Sequence, residues 1–372
     1  MNIFKNRISG SFLFFCGLIA FGKAGFTQSD ETPRFGADVI EEINDVRHLN
    51  GNVWIKQGAL KLNCDKGTWF LSDGRINLRD NVIVEDGDKT LSSDFLDYFQ
   101  NEKRLVARGH VTIVDSVRTI EARRMTYWRE EEHVIAEQNV KIIESDRNVI
   151  LTGGHAEYFR KSDSAFVTFN PVFIQTDSTG KEDIRVTGNL MELTQHGEVA
   201  IVTDSVRITR ESTEATCGKA EFWRNLYKIV LLKEPKVWQE NRHVTGDSIE
   251  LHFDQNDLKQ VLVKQNAEVL SVADSLSTPK KWHKLSGQLM TIFFRENRMK
   301  KIIVDNMATS WYYFYEDNKY KGLNKVSGDK LIIFLEDNKI SRVRVQSDPG
   351  LSSGAFTPPG IKITENVKKS KK

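Results

Sequence analysis

The chain has 372 residues, with 53 Lys and Arg against 51 Asp and Glu, a formal charge of +2. That balance excludes the strongly basic field of a general nucleic-acid binder. A hydrophobic fraction of 39% is low for one thick core, while 7 Trp exclude a disordered chain, and 3 Cys with 7 Pro exclude a disulfide scaffold or a Pro-rich linker.

The N-terminus reads as an export signal. Lys5 and Arg7 precede an apolar run from Ser11 to Gly22, too short to span a bilayer comfortably as a helix and right for a signal core. Gly22 and Ala24 flank Lys23, which sets cleavage after Ala24, with cleavage after Gly22 the close alternative and retention as a membrane anchor the other reading. Cys16 follows Phe14 and Phe15 rather than small residues, which argues against lipidation there. Residues 1–24 are therefore assigned to the signal peptide and 25–50 to a lead-in, in which 38–47 reads as a short helix or a degenerate half-repeat. Residues 51–346 form a repetitive body.

In that body a polar or small residue is followed by Val, any residue and an apolar residue. The copies place Val at 53, 82, 111, 140, 172, 206 and 237, with weaker copies near Ala267 and Ala308, or nine units of roughly 30 residues. A second phrase follows about ten residues later and ends in adjacent aromatics, as in Cys64 to Phe70, Ser93 to Phe99 and Ala122 to Trp128. A third is a β-type run such as Arg75-Ile76-Asn77-Leu78 or Arg104-Leu105-Val106-Ala107. Each unit thus predicts about three strands of six to nine residues, or about 27 in all, patterned with period two and stacked on their neighbours. The fold class is all-β.

Face parity selects Val53, Ile55, Leu62, Val82, Val84, Leu91, Val111, Ile113, Ile120, Val140 and Ile142 as interior. It also predicts that one member of each aromatic pair (Trp69 or Phe70, Tyr98 or Phe99, Tyr127 or Trp128, Tyr158 or Phe159, Phe222 or Trp223) points inward and the other outward. Cys64 and Cys217 hold the same place in units five apart, so a disulfide between them is excluded and both read as small buried side chains. Eight His show no tight metal-ligand spacing, including His243 and His252, and neither a Gly-x-Ser-x-Gly elbow nor a phosphate loop occurs. No catalytic residue, metal or cofactor is assigned. The tail 347–372, with Lys368, Lys369, Lys371 and Lys372, reads as disordered and basic.

The stretch Gly51 to Asp65, reading GNVWIKQGALKLNCD, resembles the repeat of the OstA-like (LptA-type) lipopolysaccharide-transport proteins, and Asn81 to Tyr98 repeats it. The resemblance is strong over 51–160 and loosens through 346. It implies an elongated, V-shaped β-jellyroll of stacked antiparallel strands in the periplasm of a Gram-negative-type bacterium. It further implies a carrier or bridge component that holds the acyl chains of lipopolysaccharide in its interior, so the parity residues above are the expected lipid contacts. The implied partners are lipopolysaccharide or a related glycolipid, LptC-like inner-membrane and LptD-like outer-membrane proteins joined by strand addition, and further copies of the chain head to tail; no nucleic acid is implied. Two other readings remain open: a secreted β-helix polysaccharide-active enzyme and a structural surface repeat.

Overall fold

The computed structural model describes residues 33–361, apart from 88, 117, 196–197, 255–256, 275–280, 297, 317–318 and 337–338. The signal-peptide assignment and the lysines of the tail lie outside the described residues. The described residues form 26 strands, paired antiparallel, and divide into two compact units. One runs to Glu211 and takes in Lys219–Leu226; the other holds Ser212–Gly218 and Tyr227 onward.

The first unit opens with β1 (Arg34–Gly36) and β2 (Val39–Ile43), both paired to β3 (Val46–Gln57). Residues 38–47 are therefore a strand hairpin and not a helix; Val39, Ile40 and Ile43 are β-branched and lack a helical apolar face. A meander follows: β4 (Leu60–Phe70), β5 (Arg75–Asp86), β6 (Lys89–Phe99), β7 (Arg104–Val114), β8 (Arg118–Trp128), β9 (His133–Glu144) and β10 (Val149–Phe159). These strands run 11 or 12 residues, longer than the expected six to nine.

The extra length comes from fusion. The β-type run ending one unit and the Val phrase opening the next belong to one strand, as Arg75–Leu78 and Val82–Val84 both lie in β5. Between them Asp80 and Asn81 adopt left-handed backbone, with φ of 63° and 55°. The pair opposes a single residue on β6, since Arg79 faces Phe95 and Val82 faces Ser93. This bulge redirects the strand without ending it. The same paired left-handed residues recur at Gly51-Asn52, Gly109-His110, Gln138-Asn139, Phe169-Asn170, Asp204-Ser205, Lys233-Glu234, Gln265-Asn266 and Asn306-Met307. The nine bends coincide with the nine sequence units.

Side chains hold several bends. Asn52 Nδ2 donates to Asp38 at 2.9 Å, Asn81 to Asp65 at 2.8 Å and Asn266 to Asp247 at 3.1 Å, while His110 Nδ1 sits 2.9 Å from Asp94. Asn and Asp tolerate left-handed backbone better than most residues and bond locally. Before Val53, Val82 and Val111 the polar residue is thus a bend residue, and the Asp of the segment before it supplies its partner.

Where Pro follows the bend, the strand splits. Pro171 lacks an N–H and separates β11 (Ser164–Thr168) from β12 (Val172–Thr176), yet both still pair with β10. The unit closes with β13 (Glu182–Thr187), β14 (Leu190–Thr194) and β15 (Val199–Arg210), and β16 (Thr213–Trp223) contributes to both units.

The second unit begins with short strands, β17 (Lys228–Leu232), β18 (Lys236–Gln239), β19 (Arg242–Thr245) and β20 (Ser248–Asp254). It continues with the long β21 (Asp257–Asp274), β22 (Lys281–Arg295), β23 (Arg298–Glu316) and β24 (Lys319–Glu336), of 15 to 19 residues. Two strands then cover β24: β25 (Lys339–Gln346) on one half and β26 (Ser353–Thr357) on the other. The body therefore extends past residue 346, and the first part of the expected tail is a strand, because Ser353 to Thr357 meets the free edge of Leu323 to Ser327. The chain is an all-β jellyroll of stacked antiparallel strands; the antiparallel pairing also removes the parallel β-helix reading.

Candidate functional site

Each bend divides a strand into two halves, and the halves of the first unit face one another across an apolar space. Val84, Leu91 and Ile113 come from the segments after or before the bend on one side. Leu96, Leu105, Ala107, Met125 and Val134 come from the other side. Together they bound a cavity of about 90 Å³. That is room for only a short stretch of hydrocarbon, so a longer chain would need the two layers to move apart.

The mouth of this cavity is charged. Asp86 and Lys89 close it on one side, and Tyr127, Glu132, Tyr158 and Arg160 on the other. Arg160 Nη1 and Glu132 Oε1 are 3.5 Å apart. Burial, assisted by Glu132 and Asp86, pushes the Tyr127 hydroxyl up to about 12. Tyr158 donates to Asp163 at 3.1 Å and is pushed upward by burial and by that carboxylate. Both phenols therefore stay neutral donors at any physiological pH. One step along the same strip, Arg118 meets Glu144 at 3.0 Å, and Arg147 reaches it at 3.3 Å. Glu144 is only 2% exposed, and burial raises its carboxyl despite both guanidinium groups. Val82, Val84 and Asp86 share one face of β5, as Val140, Ile142 and Glu144 share one face of β9, so the apolar columns end in charges at the lip.

Nine of the eleven residues chosen by parity are buried: Val53, Ile55, Leu62, Val82, Val84, Val111, Ile120, Val140 and Ile142 are each at most 5% exposed. Leu91 and Ile113 are half-buried. Of the eleven, only Val84, Leu91 and Ile113 line the cavity. The others pack the closed part of the core. The opposite wall, Leu96, Leu105, Ala107, Met125 and Val134, was not chosen, although its members alternate just as regularly in the second and third phrases. The charged lip was missed because parity was applied only to apolar residues.

The aromatic pairs divide as expected. Trp69, Tyr98, Tyr158 and Phe222 are the buried members, and Tyr127 lines the cavity. Their neighbours lie outside, where cations cover them: Arg75 sits 4.3 Å from the Phe70 ring centre and Arg104 sits 4.0 Å from that of Phe99. His133 stacks between Trp128 and Phe159 at 5.0 and 4.3 Å. Its Nε2 meets Glu157 at 3.0 Å, and His155 meets the same carboxylate at 2.8 Å.

Cys64 and Cys217 are buried and form no disulfide. Burial pushes the Cys64 thiol up to about 11, far from a reactive thiolate. Among the described residues no group of three His, Cys, Asp or Glu side chains could hold a metal ion, and no helix is long and apolar enough to cross a membrane.

Residues 25–183 match the family model described as OstA-like protein. Over these residues the chain is similar to that family. The region takes in the whole cavity and its lip, from Val84 to Arg160, and the phrase Gly51 to Asp65 in which the resemblance was read. No curated protein matches the chain. Twenty-one chains of solved structures match. One is LptH from Pseudomonas aeruginosa, described as the LptA homologous periplasmic component of the conserved lipopolysaccharide transport device. It is 19% identical, with a TM-score of 0.28, and the match covers 29% of this chain and 83% of that one.

Proposed function

We propose that the chain is a periplasmic, non-enzymatic lipid-binding carrier or bridge component that moves lipopolysaccharide between the inner and outer membranes. The observation that carries this reading is the apolar cavity of the OstA-like region, walled by Val84, Leu91, Leu105, Met125 and Val134 and bordered by charged and phenolic side chains. Acyl chains entering it leave water at about 0.8 kcal/mol per CH₂. The phenols of Tyr127 and Tyr158 and the charges of Lys89 and Arg160 remain at the lip, where an amphiphile changes from tail to headgroup. The apolar walls suit the holding of hydrocarbon. The interior-facing Val53, Ile55, Leu62, Val82, Val111, Ile120, Val140 and Ile142 extend the same face along the stack and are proposed lipid contacts once the layers separate. Strand addition by LptC-like and LptD-like partners at β1 or β26 would continue the stack.

The test is native mass spectrometry of residues 25–372 exported to the periplasm of a Gram-negative host and purified without detergent. The expected result is a co-purifying multi-acyl glycolipid. A clean protein mass, with no uptake of added lipopolysaccharide, would remove the carrier reading and leave the structural repeat.

A further inference from the structure

Six strands of the first unit each place one residue in a register line on the outer face: Lys66 opposite Arg79, Arg79 opposite Phe95, Phe95 opposite Arg108, Arg108 opposite Arg124, and then Glu137. Four of the first five members are cations. The fifth, Phe95, is a large apolar side chain left 44% exposed. Like charges directly opposite each other destabilise a sheet, and an exposed Phe adds nothing to the core, so folding alone does not account for the row.

A concavity of about 870 Å³ opens beside it at the bend, lined by Arg108, Arg123, Arg124, His110, Gln138 and Asn139, with Glu121 its one carboxylate among the lining residues. Here the bend pattern changes. Asp65 and Asp94 accept from Asn81 and pair with His110 in the preceding repeats, but the equivalent place facing Asn139 is Arg123. Three members of this cation cluster have carboxylate partners: Lys66 with Asp80 at 3.1 Å, Arg124 with Glu137 at 3.6 Å, and Arg108 with the largely buried Asp97. The first two pairs are exposed, contribute about 0–1 kcal/mol and exchange readily for a stronger anion. Arg79 and Arg123 have no carboxylate partner among the described residues.

We propose that this row and concavity form a binding site for a phosphorylated saccharide. Guanidinium forks suit the paired oxygens of phosphate, and Phe95 presents a ring face for the C–H surface of a sugar. The surface is concave, which disfavours a flat bilayer. The row spans roughly 19 Å before Glu137 ends it, which is short for a nucleic-acid track. The site lies on the outer face, apart from the apolar cavity, and does not depend on the acyl-chain reading.

The test is calorimetric titration of the full chain with glucose 1,6-bisphosphate, glucose and inorganic phosphate, in the wild type and in an Arg79→Thr/Arg123→Thr variant. The expected result is saturable binding of the bisphosphate that weakens at least tenfold in the variant and weakens with added salt, with no binding of glucose. The variant should unfold at the same or a higher temperature, because a like-charge neighbour has been removed, and should take up a fluorescent fatty acid as the wild type does. Equal bisphosphate affinity in wild type and variant, or no saturable binding, would overturn the proposal. Inorganic phosphate binding as tightly as the sugar bisphosphate would overturn the saccharide assignment, and tighter binding of a single-stranded oligonucleotide would overturn the ligand class.

Discussion

The first repeats and the later ones build the same bend with different materials. In the first three, the place beside the bend on the even strand carries a small side chain, Cys64, Ser93 or Ala122, and two of those bends are held by a side-chain contact, Asn81 with Asp65 and His110 with Asp94. From Gly153 and Gly188 in the first unit to Gly246, Gly287 and Gly328 in the second, the place carries glycine, apart from Cys217. A Cβ on Gly246 would lie 2.5 Å from Val263 Cγ1, and one on Gly287 would lie 2.4 Å from Val304 Cγ1. There the valine of the next strand fills the space a side chain would need. At Asn306-Met307 the bend ends in a Met left 74% exposed. The bend is therefore a property of backbone register, reached either by side-chain hydrogen bonds or by close packing against glycine. This is why the sequence phrase decays toward the C-terminus while the architecture persists.

The largest effect should come from an element the two units share. Val111 and Val304 are 1% and 0% exposed. Val111→Asp or Val304→Asp buries an unpaired charge and is expected to cost at least about 3 kcal/mol, enough to unfold the unit that contains it. Urea denaturation followed by Trp fluorescence reads this. Retention of full stability by either variant would show that its interior face is misassigned.

The difference between the early and the later repeats is sharpest at the small position. Gly287→Ala drives a Cβ into Val304 and is expected to cost about 1–3 kcal/mol. Ala122→Ser, which places in the first unit the residue its neighbouring repeat already uses at Ser93, should cost less than about 1 kcal/mol. Equal losses in the two thermal melts would erase the distinction.

Acid should distinguish the units as well. In the second, burial lowers the His283 imidazole to about 4, and its ring accepts from the Tyr313 N–H at 3.2 Å. The folded value lies below the unfolded value near 6.5, so folding favours the neutral ring. The contribution is complete above about pH 6.5 and is lost as pH falls from there toward 4, by on the order of 2 kcal/mol after allowance for partial exposure. His283→Gln should flatten the second unit's stability over that window in pH-dependent denaturation. An unchanged slope would place the titration elsewhere.

The smallest expected effect is at a capped bend. Asn81→Ala loses the 2.8 Å bond to Asp65 and places a Cβ residue less tolerant of left-handed backbone at φ 55°, for about 1 kcal/mol. Asn81→Gly should recover most of this loss by relieving the backbone. If Gly proved worse than Ala, the side-chain bond and not the backbone would set the bend.

Much of this was legible from residue order. The period of 29 that places Val53, Val82, Val111 and Val140 counts the bends, and alternation around each Val identifies the buried face. The aromatic pairs divide inward and outward because adjacent strand residues must. Strand length was misjudged at Asp80-Asn81 and its equivalents. Such pairs commonly end a strand, and only the partner register shows that the strand continues through them. The lip was missed for a related reason. Asp86 and Glu144 obey the parity of the valines before them, but a carboxylate at an interior position becomes intelligible only when the facing layer, with Tyr127, Arg118 and Arg147, is in place.

The central claim is that acyl chains lie between the two layers of the OstA-like region, and site-specific photo-crosslinking tests it most directly. A photoreactive amino acid is placed at Leu105 or Met125, on the cavity wall, or at Trp54 or Ile83, on the outer face, and the chain is irradiated in cells that make lipopolysaccharide. The account predicts lipid adducts from Leu105 and Met125 and none from Trp54 or Ile83. Adducts from the outer positions alone, with the folded chain intact, would contradict it.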